Sequence, residues 1–229
     1  MTTKAPSPID PAGMPLGWNV QANGNEGLTG NKPDPSFSGA LTASGLLAES
    51  YDFNLASLTD TLAVAGTVYA SVIPLTTEQS VANLWYDVQA IGVTLTANQC
   101  WCGLINSAGL LIGQSAEQHT AWVSTGLGGS AAGGTPLVAS STGSLSNLPA
   151  GNYYGIFVYN GTTGPTFSAL GLTSELTNIN TTVAAANFNA ASIATGVTTS
   201  ASLVAAGLTT PFTLTSATLT IKRIWCGVS

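Results

Sequence analysis

Short runs of β-branched and aromatic residues succeed one another from about Tyr51 to the end of the chain, and this succession constrains the fold most. Glycine, proline, asparagine and serine bound the runs, as they bound strands in all-β proteins. No segment keeps the apolar period of an amphipathic helix over three turns. The pattern therefore predicts an all-β fold, a jelly-roll-like β-sandwich of two sheets. The runs occupy 69–75, 81–88, 91–95, 99–105, 110–114, 120–124, 136–139, 153–159 and 166–170.

Two of these runs predict a hairpin. The segments 99–105 and 110–114 flank Asn106-Ser-Ala-Gly, and Gly109 suits a turn position with positive φ. Near the end of the chain, 212–221 alternates apolar and polar residues at period two, which predicts a half-buried strand. Four tryptophans fall in predicted strands and are interpreted as core or inter-subunit aromatics: Trp85, Trp101, Trp122 and Trp225.

Two inserts interrupt the strand pattern. The segment 126–134 is rich in glycine and predicts a flexible loop. The segment 175–207 is an Ala/Thr/Asn stretch with room for a short helix, although threonine and asparagine at this density oppose a long one.

Residues 1–48 differ from the rest because they hold six of the eleven prolines, with glycines between them. Proline at this density opposes helix and central strand, so the segment is predicted to be an extended arm ahead of a β domain over 49–229. A disordered tail is the alternative. The spaced apolar residues of the arm favour a docking role instead; they are Met14, Leu16, Trp18, Val20, Leu28 and Phe37.

Charged side chains make up only 6% of the residues, and the formal net charge is −6. The bases are Lys4, Lys32, Lys222 and Arg223, so 33–221 carries no lysine or arginine. Such a chain cannot neutralise a row of phosphates, which excludes nucleic acid as a partner. Charged side chains normally keep a protein soluble. A neutral polar surface therefore indicates a protein that is covered by copies of itself or by a neighbour, rather than a monomeric enzyme.

Targeting signals and cysteine usage point to a protein made in cytosol. No apolar run reaches the roughly 18–20 residues of a spanning helix, so membrane insertion is not expected. The N-terminus has one lysine followed by prolines, unlike a signal peptide. An odd number of cysteines predicts reduced thiols. Cys100 and Cys102 are expected on one strand face and Trp101 on the other, as small buried thiols rather than zinc ligands; neither a metal nor another cofactor is predicted.

No reactive constellation is recognisable, and the chain is predicted not to be an enzyme. The single histidine, His119, has no G-x-S-x-G partner motif, since 113–117 lacks the closing glycine of a nucleophile elbow. The carboxylates are scattered, and none forms a calcium loop motif. A hydrolase that recruits two carboxylates from distant strands stays open as an alternative.

Three segments carry a resemblance to a known family. The segments 69–86, 102–122 and 148–167 resemble the β-sandwich or jelly-roll domain of virion proteins of actinobacterial tailed phages, of the minor tail protein type. The resemblance covers about 65–170 and the closing strand, and it lies in turn-and-strand patterns. It implies a non-enzymatic β domain, frequently homotrimeric, on the exterior of the virion after assembly in the host cytoplasm.

The residues and the resemblance together predict a structural virion protein whose N-terminal arm anchors it to the major capsid protein or to a tail protein. The protein is then a minor tail protein or a capsid decoration protein. The alternative is a host-recognition module that binds a host-surface glycan through aromatic rings. Alternating strand positions indicate that most of the candidate rings belong to the core; they are Trp122, Tyr153, Tyr154 and Tyr159.

Overall fold

The computed structural model describes residues 45–56, 58–123, 131–141, 143–171, 189–194, 212–214, 217–220 and 222–229. Most of the predicted arm lies outside these ranges, and so do its six apolar anchors Met14, Leu16, Trp18, Val20, Leu28 and Phe37. The described residues all fall in one compact unit, 45–229.

β-Strands dominate the described residues. They are β1 (Ala48–Glu49), β2 (Leu58–Thr61), β3 (Val68–Leu75), β4 (Asn83–Ala90), β5 (Val93–Leu95), β6 (Trp101–Asn106), β7 (Leu111–Ser115), β8 (Ala131–Ala139), β9 (Gly151–Val158), β10 (Gly161–Thr163), β11 (Thr166–Gly171), β12 (Ala190–Ala194), β13 (Thr218–Leu219), β14 (Lys222–Ile224) and β15 (Cys226–Val228). A 3-10 turn covers Phe53–Leu55, and one short helix, α1, covers His119–Val123. The first strand contains both residues beside the predicted boundary between arm and domain.

Thirteen of these strands form one antiparallel sheet that curls into two layers. Its main order is β1-β15-β4-β8-β7-β6-β9-β3-β12-β13, and β11 pairs with β2, β4 and β14. The strand β8 joins the layers, because 131–136 pair with β4 and 137–139 pair with β7. The strands β5 and β10 form a separate two-stranded ribbon. The all-β, sandwich-like fold predicted from the strand pattern is confirmed.

The main core lies between the two layers. Leu84, Tyr86 and Phe167 from one layer and Leu104 and Phe157 from the other belong to a single buried cluster. A second cluster covers the opposite face of the layer that contains β3, β6 and β9; it includes Val72, Trp101, Ile105, Tyr154 and Ile156. These strands are therefore buried on both faces, which explains why their sequences are mostly apolar rather than alternating.

The predicted hairpin is confirmed. The strands β6 and β7 pair in antiparallel fashion, and Gly109 in the connecting turn has a φ of 78°. Asn106 closes the turn because its side-chain oxygen accepts hydrogen bonds from the backbone N–H groups of Ala108 and Leu110, each at 3.0 Å. The turn is thus stabilised by its own residues, which is why it could be recognised from the sequence.

The strand predicted over 120–124 is wrong, because the chain forms helix α1 there. The backbone N–H of Trp122 donates to the carbonyl of Gln118 at 2.9 Å, which closes a helical turn. This turn places the Trp122 ring against Tyr86 and Phe167 in the main core. Burial of one large ring outweighs the local strand preference of a five-residue segment.

The strand predicted over 212–221 is also wrong as a continuous element, since only Thr218–Leu219 is a strand among its described residues. The backbone N–H of Phe212 donates to the carbonyl of Gly109 at 2.8 Å, and the backbone N–H of Ala217 donates to the carbonyl of Leu214 at 3.1 Å. The side chains of Phe212 and Leu214 are both buried in the second cluster. The alternating pattern thus predicted the burial of Phe212 and Leu214 correctly, but it was wrong about the continuous strand.

Part of the predicted flexible loop 126–134 belongs to strand β8, which begins at Ala131. Gly134 lies against the indole of Trp85, and a Cβ at this glycine would come within 2.8 Å of the ring. The glycine therefore permits the close approach of a tryptophan to a paired strand. The remainder of this segment, 126–130, lies outside the described residues.

Candidate functional site

The three cysteines are buried and free. Cys102 belongs to the core between the layers while Trp101 belongs to the cluster on the other face, as strand alternation predicts. Burial raises the pKa of Cys100 to about 11 and the pKa values of Cys102 and Cys226 to about 12. All three are therefore neutral thiols at physiological pH. Among the described residues, no group of three or more His, Cys, Asp or Glu side chains is placed to hold a metal ion.

The four aromatic residues considered for glycan contact all lie inside the protein. Trp122 and Tyr154 are 0% exposed, Tyr159 is 1% exposed and Tyr153 is 5% exposed. The hydroxyl of Tyr153 donates to the carbonyl of Pro149 at 3.0 Å. None of the four rings is available on the surface for stacking on a sugar. Their burial therefore supports the interpretation of these residues as part of the core.

A buried carboxylate in β4 was not recognised from the sequence. Asp87 is 1% exposed, and one of its oxygens accepts hydrogen bonds from the hydroxyl of Ser168 and the side-chain amide of Gln89. Ser168 comes from β11, 81 residues further along the chain. The available signal was a charged residue inside the apolar run 81–88. Its partners could not be read, because they depend on which strand lies beside β4.

The segment 45–55, which we name the entry segment, runs beside the last two strands of the chain. The backbone N–H of Leu47 donates to the carbonyl of Val228 at 2.8 Å, and that of Ser50 donates to Cys226 at 2.7 Å. The Ser50 hydroxyl donates to the carbonyl of Ile224 and accepts from the N–H of Cys226. Backbone pairing and one serine therefore hold the entry segment to the domain.

Glu49 adds a side-chain contact to this pairing. Its carboxylate accepts a hydrogen bond from the indole N–H of Trp225 at 2.9 Å and one from the backbone N–H of Phe53 at 3.3 Å. The Phe53 ring packs edge-on against Trp225 with centroids 4.8 Å apart. Burial raises the pKa of Glu49 above its usual value of 4.5, while its two hydrogen bonds oppose the shift.

The entry segment also exposes three large apolar side chains. Leu47 is 37% exposed, Phe53 is 41% exposed and Leu55 is 57% exposed. A single exposed leucine is ordinary on a protein surface. Three such residues lie within nine positions, Leu47 at the end of the predicted arm and Phe53 and Leu55 shortly after it. The entry segment is therefore our candidate for a protein-docking surface among the described residues.

Neither a protein-family model, nor a curated protein, nor a solved structure matches this chain. Among the described residues, none of the helices combines the length and hydropathy needed to cross a bilayer.

The raised pKa of Glu49 predicts a pH-dependent contribution to stability. In the folded protein this carboxyl holds its proton to higher pH than in the unfolded chain. Its contribution is therefore greatest below about pH 4.5 and is lost as the pH rises through the folded-state pKa. Glu49→Gln cannot ionise and is expected to lack this loss. The free energy of unfolding of E49Q, relative to that of wild type, should therefore increase from pH 4 to pH 7.

Urea unfolding at several pH values measures this difference. Glu78→Gln is the matched control, because Glu78 is exposed and the substitution removes the same charge. A difference between E49Q and wild type that does not change with pH, or that E78Q reproduces, would contradict the assignment.

Proposed function

We propose that this chain is a non-enzymatic structural protein of a tailed-phage virion. Its β domain stands on the exterior of the particle, and its N-terminal arm anchors it to a neighbouring capsid or tail protein. The protein is thus a capsid decoration protein or a minor tail protein that joins the particle in the host cytoplasm.

Two properties of the chain support this proposal. The near absence of charge suits a surface that is covered by other subunits. The segments that resemble phage virion domains, 69–86, 102–122 and 148–167, supply β3, β6, β7 and β9, so the resemblance lies in the scaffold of the sandwich. A scaffold resemblance of this kind accords with a structural role.

The observation that carries the anchoring role is the apolar exposure of the entry segment. Leu47, Phe53 and Leu55 come soon after residue 44 in the sequence, and all three side chains are exposed. Burial of apolar surface of this kind is the dominant favourable contribution in most protein association. The proposal therefore includes the entry segment of the domain as a docking surface.

Removal of residues 1–44 tests the anchor. The truncated protein, which keeps Gly45 and the whole of β1, is expected to fold and remain soluble but to be absent from purified particles. Incorporation is measured as copies per particle by quantitative mass spectrometry after complementation of a strain that lacks the protein. If the truncated protein reaches wild-type copy number, the anchoring role is wrong.

Point variants refine this test within the same experiment. Leu55→Ser is expected to lower incorporation, since it removes the most exposed apolar side chain of the entry segment. Val138→Ser is the matched control, because Val138 is 65% exposed but lies in β8. Equal copy numbers for the two variants would exclude the entry segment from the docking surface.

The proposal includes a homotrimer as the assembling unit, on the resemblance to virion domains that are frequently trimeric. Sedimentation equilibrium of the full chain measures this directly, and a monomer at all concentrations would contradict it. Copy number distinguishes the two locations, since hundreds of copies indicate the head and a handful indicates the tail tip.

A further inference from the structure

Trp85 in β4 differs from the three other described tryptophans because it lies outside the core. Those three are at most 6% exposed, whereas Trp85 is half-buried and belongs to neither of the two buried clusters formed by the described residues. Its neighbours Leu84 and Tyr86 point into the main core. Strand alternation therefore directs the indole of Trp85 to the outward face of its layer.

The indole of Trp85 lies flat on strand β8. Gly134 is its direct partner in the ladder, and a Cβ at this glycine would lie 2.8 Å from Cε2 and Cζ2 of the indole and 2.9 Å from Cδ2. These three atoms are consecutive in the six-membered ring, and a point outside the ring that is almost equally far from all three lies over the ring face, not beside its edge. One face of the indole therefore rests on Gly134, and the other face points away from the sheet.

Hydrogen bonds fix the orientation of this ring and give it a polar border. The indole N–H of Trp85 donates to the hydroxyl of Ser229 at 2.8 Å, and the side-chain amide of Asn83 donates to the same hydroxyl at 3.2 Å. On the far side of β4, Trp85 pairs with Gly227, whose outward side is covered by Leu46; a Cβ there would lie 3.2 Å from Leu46 Cδ1. We name the outward indole face, together with Asn83 and Ser229, the Trp85 platform.

The surroundings of the Trp85 platform suit a neutral, polar ligand. Asp87 is the only ionic side chain on the outward face of β4, and it is 1% exposed and accepts hydrogen bonds from Ser168 and Gln89. It therefore offers no accessible charge to an ionic ligand. The residues beside the ring are mainly glycine, asparagine and serine, whereas a protein partner would call for a wider apolar patch. Any bulky strand former would shield Gly134, so shielding alone does not require an indole.

We propose that the Trp85 platform binds a neutral glycan through a pyranose ring whose hydroxyls are all equatorial, as in β-linked glucose or N-acetylglucosamine. Such a ring presents a face of axial C–H groups, which are partly positive, and the face of an indole is negative. Asn83 and Ser229 place an amide and a hydroxyl at the edge of the platform, where they can bond to sugar hydroxyls. This binding site does not depend on the anchoring role proposed above.

Titration of the ¹⁵N-labelled full chain with cellotetraose to about 20 mM, followed by NMR, tests the site. We expect a saturable shift of the indole N–H signal of Trp85, with a Kd in the millimolar range because one ring supplies the stacking contact. The signal of the buried Trp122 should not move. Sorbitol is the control for hydroxyl groups without a ring, and tetraproline is the control for a peptide. No saturable shift, an equal shift with sorbitol, or a shift with tetraproline alone overturns the proposal.

Variants connect the binding to the ring, with saturation transfer from the protein to the C–H protons of cellotetraose as the measurement. Trp85→Ala is expected to weaken binding at least about tenfold, as loss of an aromatic stacking partner does, and Trp85→Phe to weaken it less. Val64→Ser is the matched control, because it removes an exposed apolar side chain from the turn after β2. Binding by W85A equal to wild type, or an equal loss in V64S, overturns the proposal. If W85A fails to fold, the wild-type titration decides.

Discussion

Trp122→Ala is expected to lower the free energy of unfolding by about 3–5 kcal/mol, the usual cost of removing a fully buried tryptophan. The ring is 0% exposed and makes edge-to-face contacts with Tyr86 at 6.3 Å and with Phe167 at 5.7 Å between centroids. Its loss leaves a cavity between the two layers, and it removes the side chain that fixes helix α1 against the core.

Thiol labelling measures this loss of stability without the use of tryptophan fluorescence. Cys100, Cys102 and Cys226 are buried, so a thiol reagent reacts with them only after unfolding or opening of the core. Labelling of W122A in increasing urea should therefore begin at clearly lower denaturant than labelling of wild type. Trp122→Phe keeps an aromatic ring and should cost less than Trp122→Ala. Equal midpoints for W122A and wild type would show that the ring is not part of the core.

This result also bears on any glycan-binding experiment. Loss of binding in W122A would follow from a damaged core and would say nothing about a sugar contact. An informative experiment needs exposed residues instead.

Gly155→Ala is expected to cost about 1–3 kcal/mol because it overfills the space between the layers. A Cβ at this position would meet the Cys226 sulfur at 2.7 Å and the end of Ile73 at 3.4 Å. Glycine is thus required here because the Cys226 side chain of the facing layer leaves no room for a Cβ. Backbone conformation does not require it, since its φ is not in the left-handed region.

A double-mutant cycle separates this clash from a general loss of strand propensity. Cys226→Ala removes the opposing sulfur, so G155A/C226A should be more stable than the sum of the two single changes predicts. Cys102→Ala is the matched control, since Cys102 is equally buried but is not among the atoms nearest to Gly155. Additive effects in the first pair, or equal rescue by both cysteine changes, would refute the packing explanation. Urea midpoints at constant m-value provide the measurement.

Local features of the fold could be predicted because local sequence determines them. The Asn106–Gly109 turn is closed by its own side chain and by a glycine with positive φ, so the hairpin of β6 and β7 follows from a few adjacent residues. The separation of Cys102 and Trp101 onto opposite faces follows from strand alternation alone.

The errors lie where distant residues decide the outcome. Helix α1 forms because it places Trp122 in a buried position beside Tyr86 and Phe167. The five residues of the helix do not reveal this position, because Tyr86 and Phe167 lie far away in the sequence. Phe212 and Leu214 alternate like strand residues, but the backbone bonds to Gly109 instead of a neighbouring strand. Tertiary packing overrides short-range propensity in both cases.

The strand β8 has a mechanical consequence for the domain. Its first six residues hydrogen-bond to β4 and its last three to β7, so a single stretch of backbone belongs to both layers. The two layers therefore cannot separate or unfold one after the other without breaking the hydrogen bonds of that stretch. The domain is therefore expected to resist pulling or shear as one cooperative unit until the whole sandwich unfolds.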